Sequence, residues 1–229
     1  MIRTNTTVAH ATRLIGAGVR ALLVLTVLCG VLYPLAVTGV AQAVFPGKAN
    51  GSVVTDASGR TVGSSLIGQR YDLPQQNPAD PDEAARPDLK WFQPRLSDGL
   101  GSNSANTQYS LRVSGATNKA ADNPDLVASV TGAKAAIAAE NSTATHRVRL
   151  QDVPADAVTS SGSGLDPDIS PAYADLQVRR VAERNHLGIE QVDELVADHT
   201  QGRTFGFIGE PRVNVLELNT ALKALVEGR

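Results

Sequence analysis

The chain has a single cysteine, Cys29, and it lies inside an apolar segment near the N-terminus. That excludes a disulfide within the chain and any cysteine-based metal site. Aromatic residues make up only 4% of the 229 positions, so a core has to be assembled mainly from Val, Leu, Ile and Ala. Neither charge is in clear surplus, with 21 Lys+Arg against 23 Asp+Glu. A nucleic-acid binder needs clustered basic charge to displace counterions from phosphates, and this balance argues against one. Acidic residues are missing altogether before Asp56.

What is present in that first part is a long apolar run. No charged side chain occurs between Ala21 and Gly47, and about 20 helical residues are enough to span a bilayer core of ~30 Å. Leu22, Leu23, Val24, Leu25, Val27, Leu28, Val31 and Leu32 make it apolar on every face. Pro34 would weaken a soluble helix, whereas membrane helices accommodate proline when neighbouring groups satisfy the freed carbonyl. Arg3, Arg13 and Arg20 precede the run, so the positive-inside rule keeps the N-terminus cytoplasmic and sends the remainder across. Ala41-Gln42-Ala43 fits a signal-peptidase site, but the run exceeds the ~7–15 apolar residues of a signal peptide. A retained anchor is expected. The division is then a cytoplasmic tail at 1–20, a transmembrane helix at 21–45 and an extracytoplasmic domain at 46–229, in the plasma membrane.

In the exported part, Val53-Val54 and the stretch from Val62 to Ile67 flank the turn signal Ala57-Ser58-Gly59-Arg60 and predict a hairpin. Residues 74–88 are rich in proline and acidic groups and read as a surface loop. The Lys90-Trp91-Phe92 cluster is expected in the core, and 99–118 as loop. Asn123-Pro124 starts a helix carrying Leu126, Val130, Ala133 and Ile137 on one face. Ser170-Pro171 starts a second, with Tyr173, Leu176 and Val181, that Gly188 is expected to stop. Ile189, Val192, Leu195 and Val196 make a third helix, and Leu218, Leu222 and Leu225 a short last one. Residues 205–209 and 212–215 read as extended. The expected fold class is α+β (mixed α/β) with one N-terminal transmembrane helix.

Catalytic signatures are lacking. There is no phosphate-binding Gly-x-x-x-x-Gly-Lys-Ser/Thr loop and no G-x-S-x-G elbow. His146, His186 and His199 show no metal-ligand spacing, and no metal site is expected. His199 closes an apolar helical stripe and suits a cap or core position. Ser161 or Ser163 with His199 and an Asp could compose a serine-hydrolase triad, which is one alternative reading. An anchored domain that binds its own extracytoplasmic ligand is another.

The second half carries longer patterns. Val153-Pro154 through Val158-Thr159, then Ser161-Gly162-Ser163-Gly164-Leu165-Asp166-Pro167-Asp168-Ile169-Ser170-Pro171, resembles the C subunit of bacterial potassium-transporting P-type ATPases, the KdpC family. So do His199-Thr200-Gln201-Gly202-Arg203 and the run Gly206-Phe207-Ile208-Gly209-Glu210-Pro211-Arg212-Val213-Asn214-Val215-Leu216-Glu217-Leu218-Asn219. Gly68-Gln69 and Trp91-Phe92-Gln93-Pro94-Arg95 fit more loosely. The chain departs from the family pattern at Leu96, at Thr117-Asn118-Lys119-Ala120-Ala121, where a Gly-Pro bend is missing, and at Asp168, which replaces a histidine. The stretch 99–113 is also longer than in the pattern.

The resemblance implies a non-catalytic subunit of an ATP-driven K⁺ importer, with a channel-like K⁺-binding subunit and a P-type ATPase subunit as partners. It also implies support of assembly and a raised ATP affinity in the catalytic subunit. ATP with Mg²⁺ would act in that partner, and no cofactor is expected here, because the Asp-Lys-Thr-Gly-Thr phosphorylation motif does not occur in this chain. The candidate contact or structural residues are Ser161, Gly162, Ser163, Gly164, Asp166, Pro167, Glu210, Pro211, Arg212 and Asn214. Each also has a purely local reading. The glycines would permit unusual dihedrals, Pro167 would fix a turn, Asp166 would accept loop amides, and Glu210 would pair with Arg212.

Overall fold

The computed structural model describes residues 4–77, 80, 83–97 and 114–228, with side chains from Val8 onward. It divides into two compact units, residues 1–52 and 53–229.

The first unit is helical. Helix α1 covers Thr4–Val27, α2 covers Tyr33–Val44, and a short α3 covers Pro46–Ala49. Val8–Val44 is long and apolar enough to cross a membrane, and its most apolar 18-residue stretch has a mean hydropathy of 2.3. Leu28–Leu32 winds as a π-helix, and the Tyr33 amide donates to the Leu28 carbonyl. Proline has no N–H, and its ring crowds the carbonyl four residues back. For Pro34 that carbonyl belongs to Gly30, inside the widened turn. A π-turn ahead of a proline relieves that crowding without breaking the helix.

In the second unit the predicted hairpin forms. Strands β1 (Val53–Thr55) and β2 (Thr61–Ser64) pair antiparallel, with Val53 opposite Ser64 and Val54 opposite Gly63. The Asp56 carboxylate closes the turn by accepting from the Ser58 hydroxyl and from the amides of Ser58 and Arg60. The Ser58 hydroxyl is the largest cause holding this carboxyl well below its usual range.

Helix α4 (Pro124–Glu140) begins where the sequence predicts, with Asn123 accepting from the amides of Asp125 and Leu126. Next come β3 (Asp168–Ile169), α5 (Pro171–Asn185) and α6 (Ile189–Asp198). Strands β4 (Thr200–Gln201) and β5 (Arg212–Asn214) follow, and α7 (Val215–Glu227) closes the chain. The sheet order is β3-β5-β4, with both pairings antiparallel. The mixed helix and sheet content matches the fold class read from sequence.

Three local readings are corrected. Gly188 does not stop α5; it is the N-cap residue of α6. The stop is His186, in a left-handed conformation at φ 55°, its amide donating to the carbonyls of Ala182 and Glu183. Residues 205–209 are not a strand. Positive φ at Phe205, Gly206 and Gly209 folds them into a turn closed by a Thr204–Ile208 bridge. Val215, read as extended, is the first residue of α7, because the Asn214 side chain accepts from the Glu217 amide and caps the helix.

The core lies among α5, α6, α7 and the three-stranded sheet and is aliphatic, as the aromatic shortage requires. Val178, Val181, Val192, Val213, Val215, Leu218 and Leu222 are almost wholly buried. Trp91 and Phe92 join it as expected, and Lys90 stays exposed. The Trp91 ring packs at 5.7 Å from Tyr71.

A buried polar network fixes the 88–93 segment to the helices. Arg180, 2% exposed, donates from Nε to Asn141 and from its terminal nitrogens to Gln177 and to the carbonyls of Leu89 and Trp91. Burial pushes its pKa down to about 10, so it still carries its charge at neutral pH. Gln177 and Gln93 bond reciprocally, at 2.7 and 3.1 Å. Asn219 completes both backbone bonds of Phe92, each at 2.9 Å.

Candidate functional site

The sequence-predicted residues fall into three groups around β5. The first is the 161–164 loop. The Ser161 hydroxyl accepts from the amides of Gly164 (2.9 Å) and Asp166 (3.4 Å), and Ser163 Oγ accepts from the Leu165 amide (3.1 Å). The loop is sealed by Gly115, whose amide donates to the Ser163 carbonyl at 2.8 Å, with the Ser114 hydroxyl on the same oxygen. Gly164 is required here. Its φ is +69°, and a Cβ would lie 2.6 Å from the Gly115 carbonyl oxygen. Gly162 has neither a positive φ nor a neighbour within 4 Å of an added Cβ.

Neither serine has a histidine on its hydroxyl. Ser161 is 8% exposed, and His199 turns Nδ1 to the Leu195 carbonyl at 2.8 Å, acting at the C-terminus of α6 as its sequence position suggested. This geometry gives the hydrolase reading no nucleophile–base contact.

The second group is an ionic seam along β3 and β5. Asp166 accepts from the Asp168 amide (3.0 Å) and pairs with Arg95 at 2.8 Å, joining the loosely matching 91–95 motif to the specific one. The Pro167 carbonyl accepts from the Val215 amide at 3.0 Å. Arg212 does not pair with Glu210. It pairs with Asp168 at 3.1 Å, while Glu210 pairs with Arg203 at 2.6 Å. Antiparallel pairing sets Asp168 opposite Asn214, which brings the Arg212 side chain diagonally across to Asp168.

Asp168 is thereby a hub. Asn214, 5% exposed, donates to it at 3.2 Å and to the Ser65 carbonyl at 2.8 Å, tying the first hairpin to β5. Partial burial raises the pKa of Asp168, the neighbouring Asp166 charge adds to the rise, and Arg212 opposes it.

The third group is the arm of residues 201–211, exposed throughout, on which Glu210 and Pro211 lie. The structure therefore brings Asp166, Pro167, Arg212 and Asn214 together, with the serine–glycine loop alongside, and leaves Glu210 and Pro211 outside that cluster. Asn118 bends the chain by adopting φ 52°; the stretch 99–113, expected to be longer than in the family pattern, lies outside the described residues.

Sequence reasoning missed Arg180 and Gln177, and it quoted Arg95 and Asn219 within motifs without giving either a role. Arg180 and Gln177 stand three apart on α5, beside the buried Val178 and Val181. A polar pair inside an apolar helical stripe was the available signal.

These observations define an α+β domain carried on a chain with one apolar N-terminal span, its motif residues largely engaged with one another. The sequence model of the K⁺-transporting ATPase, c chain, matches residues 15–224. The potassium-transporting ATPase KdpC subunit of Streptomyces avermitilis is 64% identical, covering 97% of this chain and 98% of its own. That of Streptomyces coelicolor is 63% identical, covering 97% of each. That of Beijerinckia indica is 43% identical over 89% of each. The chain belongs to the KdpC family of potassium-transporting ATPase subunits.

Proposed function

We propose that the chain is a non-catalytic accessory subunit of an ATP-driven, high-affinity K⁺ importer. It supports assembly of a channel-like K⁺-binding subunit with a P-type ATPase subunit and raises the ATP affinity of the latter indirectly. The N-terminus is cytoplasmic and the 46–229 domain extracytoplasmic, because Arg3, Arg13 and Arg20 precede the span and no acidic residue opposes them before Asp56. A domain so placed is separated by the bilayer from cytoplasmic ATP and Mg²⁺. Its influence on ATP affinity then requires that it contact one conformation of its partners better than another.

The observation that carries this reading is the state of the motif residues. Ser161, Ser163, Asp166, Arg212 and Asn214 are bonded inside the domain, while the 201–211 arm is exposed. That is what a docking scaffold needs, and no reactive group is left poised among the described motif residues. The test is a mild-detergent affinity purification of the tagged full-length chain from cells expressing the candidate partners, with copurifying proteins identified. Recovery of a channel-like subunit together with a P-type ATPase supports the reading. Recovery of the chain alone refutes it and favours a free-standing binding domain.

A further inference from the structure

Asn50-Gly51 is the one Asn-Gly pair in the chain. Asparagine before glycine is open to deamidation, because the next amide nitrogen can attack the side-chain carboxamide and glycine has no Cβ to obstruct it. Both residues are exposed, in the stretch between α2 and β1.

The glycine has a local reason to be there. Gly51 follows the last turn of α3 at φ 86°. Its amide donates to the Lys48 carbonyl at 3.1 Å, and the Ser52 amide donates to the Gly47 carbonyl at 3.0 Å. That pair of bonds is a left-handed glycine cap, a common way to end a helix. The cap makes no demand on the side chain at position 50. Asn50 Nδ2 donates to the Pro46 carbonyl at 2.8 Å, and its carboxamide exchanges two bonds with that of Gln42, at 3.1 and 3.2 Å. Gln42 is the only side-chain amide in the uncharged run from Ala21 to Gly47.

Ring closure needs the Gly51 nitrogen in bonding contact with Asn50 Cγ, and the amide proton must leave. Both groups are engaged in the folded junction. Asn50 is held at φ −102° and ψ 24°, and the Gly51 amide is bonded to Lys48. Attack therefore requires rotation about the Asn50 Cα–C bond, which breaks the glycine cap. It also requires release of the carboxamide from Gln42 and Pro46.

We propose that Asn50-Gly51 is a deamidation site that the folded junction holds closed, with Gln42 as its clamp, and that it reacts when this junction opens. In the step, the Gly51 nitrogen bonds to Asn50 Cγ, the Cγ–Nδ2 bond breaks, and ammonia leaves with the Gly51 amide proton. Water then opens the succinimide at either carbonyl, leaving aspartate or isoaspartate, with no oxidant or reductant involved. Either product places a carboxylate ahead of Asp56, the first acidic residue of the unmodified chain. A carboxylate has no N–H to return to Gln42, so the reciprocal pair cannot re-form. Isoaspartate also adds a carbon to the main chain inside the cap. The modification is thus a lasting record of opening next to the span, and it does not depend on the assembly role.

The test follows Asn50 by peptide mass spectrometry in the full-length chain, kept in mild detergent and mildly alkaline buffer. A synthetic peptide of residues 45–55 serves as the open reference. Asn50 should be the first asparagine of the chain to react, at least about tenfold more slowly than in the peptide. Gln42→Ala removes two bonds and should speed the reaction about fivefold, without changing the melting of the 53–229 domain. Gln42→Glu keeps one acceptor for Asn50 Nδ2 and should fall between the two. Equal rates in chain and peptide overturn the proposal, as does an unreactive peptide, earlier reaction at another asparagine, or a rate that neither Gln42 variant alters.

Discussion

Gly164→Ala is the perturbation whose magnitude the structure fixes best. Two effects act together. A Cβ at φ +69° costs about 1–2 kcal/mol for an L-residue in the left-handed region. The same Cβ would sit 2.6 Å from the Gly115 carbonyl oxygen, and backbone, not a flexible side-chain end, would have to move. Gly115 is held by its amide bond to the Ser163 carbonyl at 2.8 Å, an oxygen that also accepts the Ser114 hydroxyl. Loosening those two bonds adds about 0.5–1.5 kcal/mol each. The total is roughly 3 kcal/mol, which lowers the melting temperature of a domain this size by roughly 6–12 °C. Gly162→Ala, two residues away in the same loop, meets nothing within 4 Å and has no positive φ, so it should leave melting within about 2 °C. Thermal unfolding of the detergent-solubilised full-length chain compares the pair directly. Equal losses in the two variants, or no loss in Gly164→Ala, would refute the reasoning.

Asn219→Ala removes both partners of the buried Phe92 backbone and should destabilise by about 2–4 kcal/mol in denaturant unfolding. Arg212→Ala strips Asp168 of its guanidinium; it should cost about 1 kcal/mol and weaken retention of the pump partners in affinity purification. Glu140 has its pKa raised by burial, with Arg180 opposing. A raised carboxyl contributes most below its unfolded value and loses that contribution as pH rises, so Glu140→Gln should raise the melting temperature at neutral pH. That gain should fade below about pH 4.5, the ordinary value of the group. With Cys29→Ser removing the native thiol, Ala144→Cys supplies one exposed thiol in the domain. An impermeant thiol reagent should label it in intact cells if the domain is outside, and protection until lysis would reverse the orientation.

Helix starts were legible because their causes are local. Asn123-Pro124 and Ser170-Pro171 place a capping oxygen directly before a residue preset for helix, and both helices begin there. Gly188 misled because glycine serves both at helix ends and at helix starts. Here a histidine took the left-handed position two residues earlier. The ion pairs were not legible. Glu210 and Arg212 are neighbours in sequence, yet Glu210 closes a turn and Arg212 reaches across a strand pairing, and both outcomes depend on tertiary register. The polar network around Arg180 was hidden for the same reason. Its partners come from residues 84 to 91 positions apart and from Asn141, and a polar side chain on a helix reads as solvated until its cover is known. The serine–glycine loop could be marked from sequence, but its dependence on Gly115 could not.

Three of the ties that hold the first hairpin and the 92 segment reach to β5 and α7. Asp56 meets Lys223, Ser65 meets Asn214, and Phe92 meets Asn219, across 167, 149 and 127 positions. A ribosome delivers each of these partners long after its mate. These long-range closures of the hairpin therefore wait until β5 and α7 are released, and loop closure over such distances is slow. A chain truncated before residue 214 would lack every one of these closures. The packing of the hairpin and the 92 segment onto β5 and α7 thus couples early-made backbone to late-made elements within one folding unit.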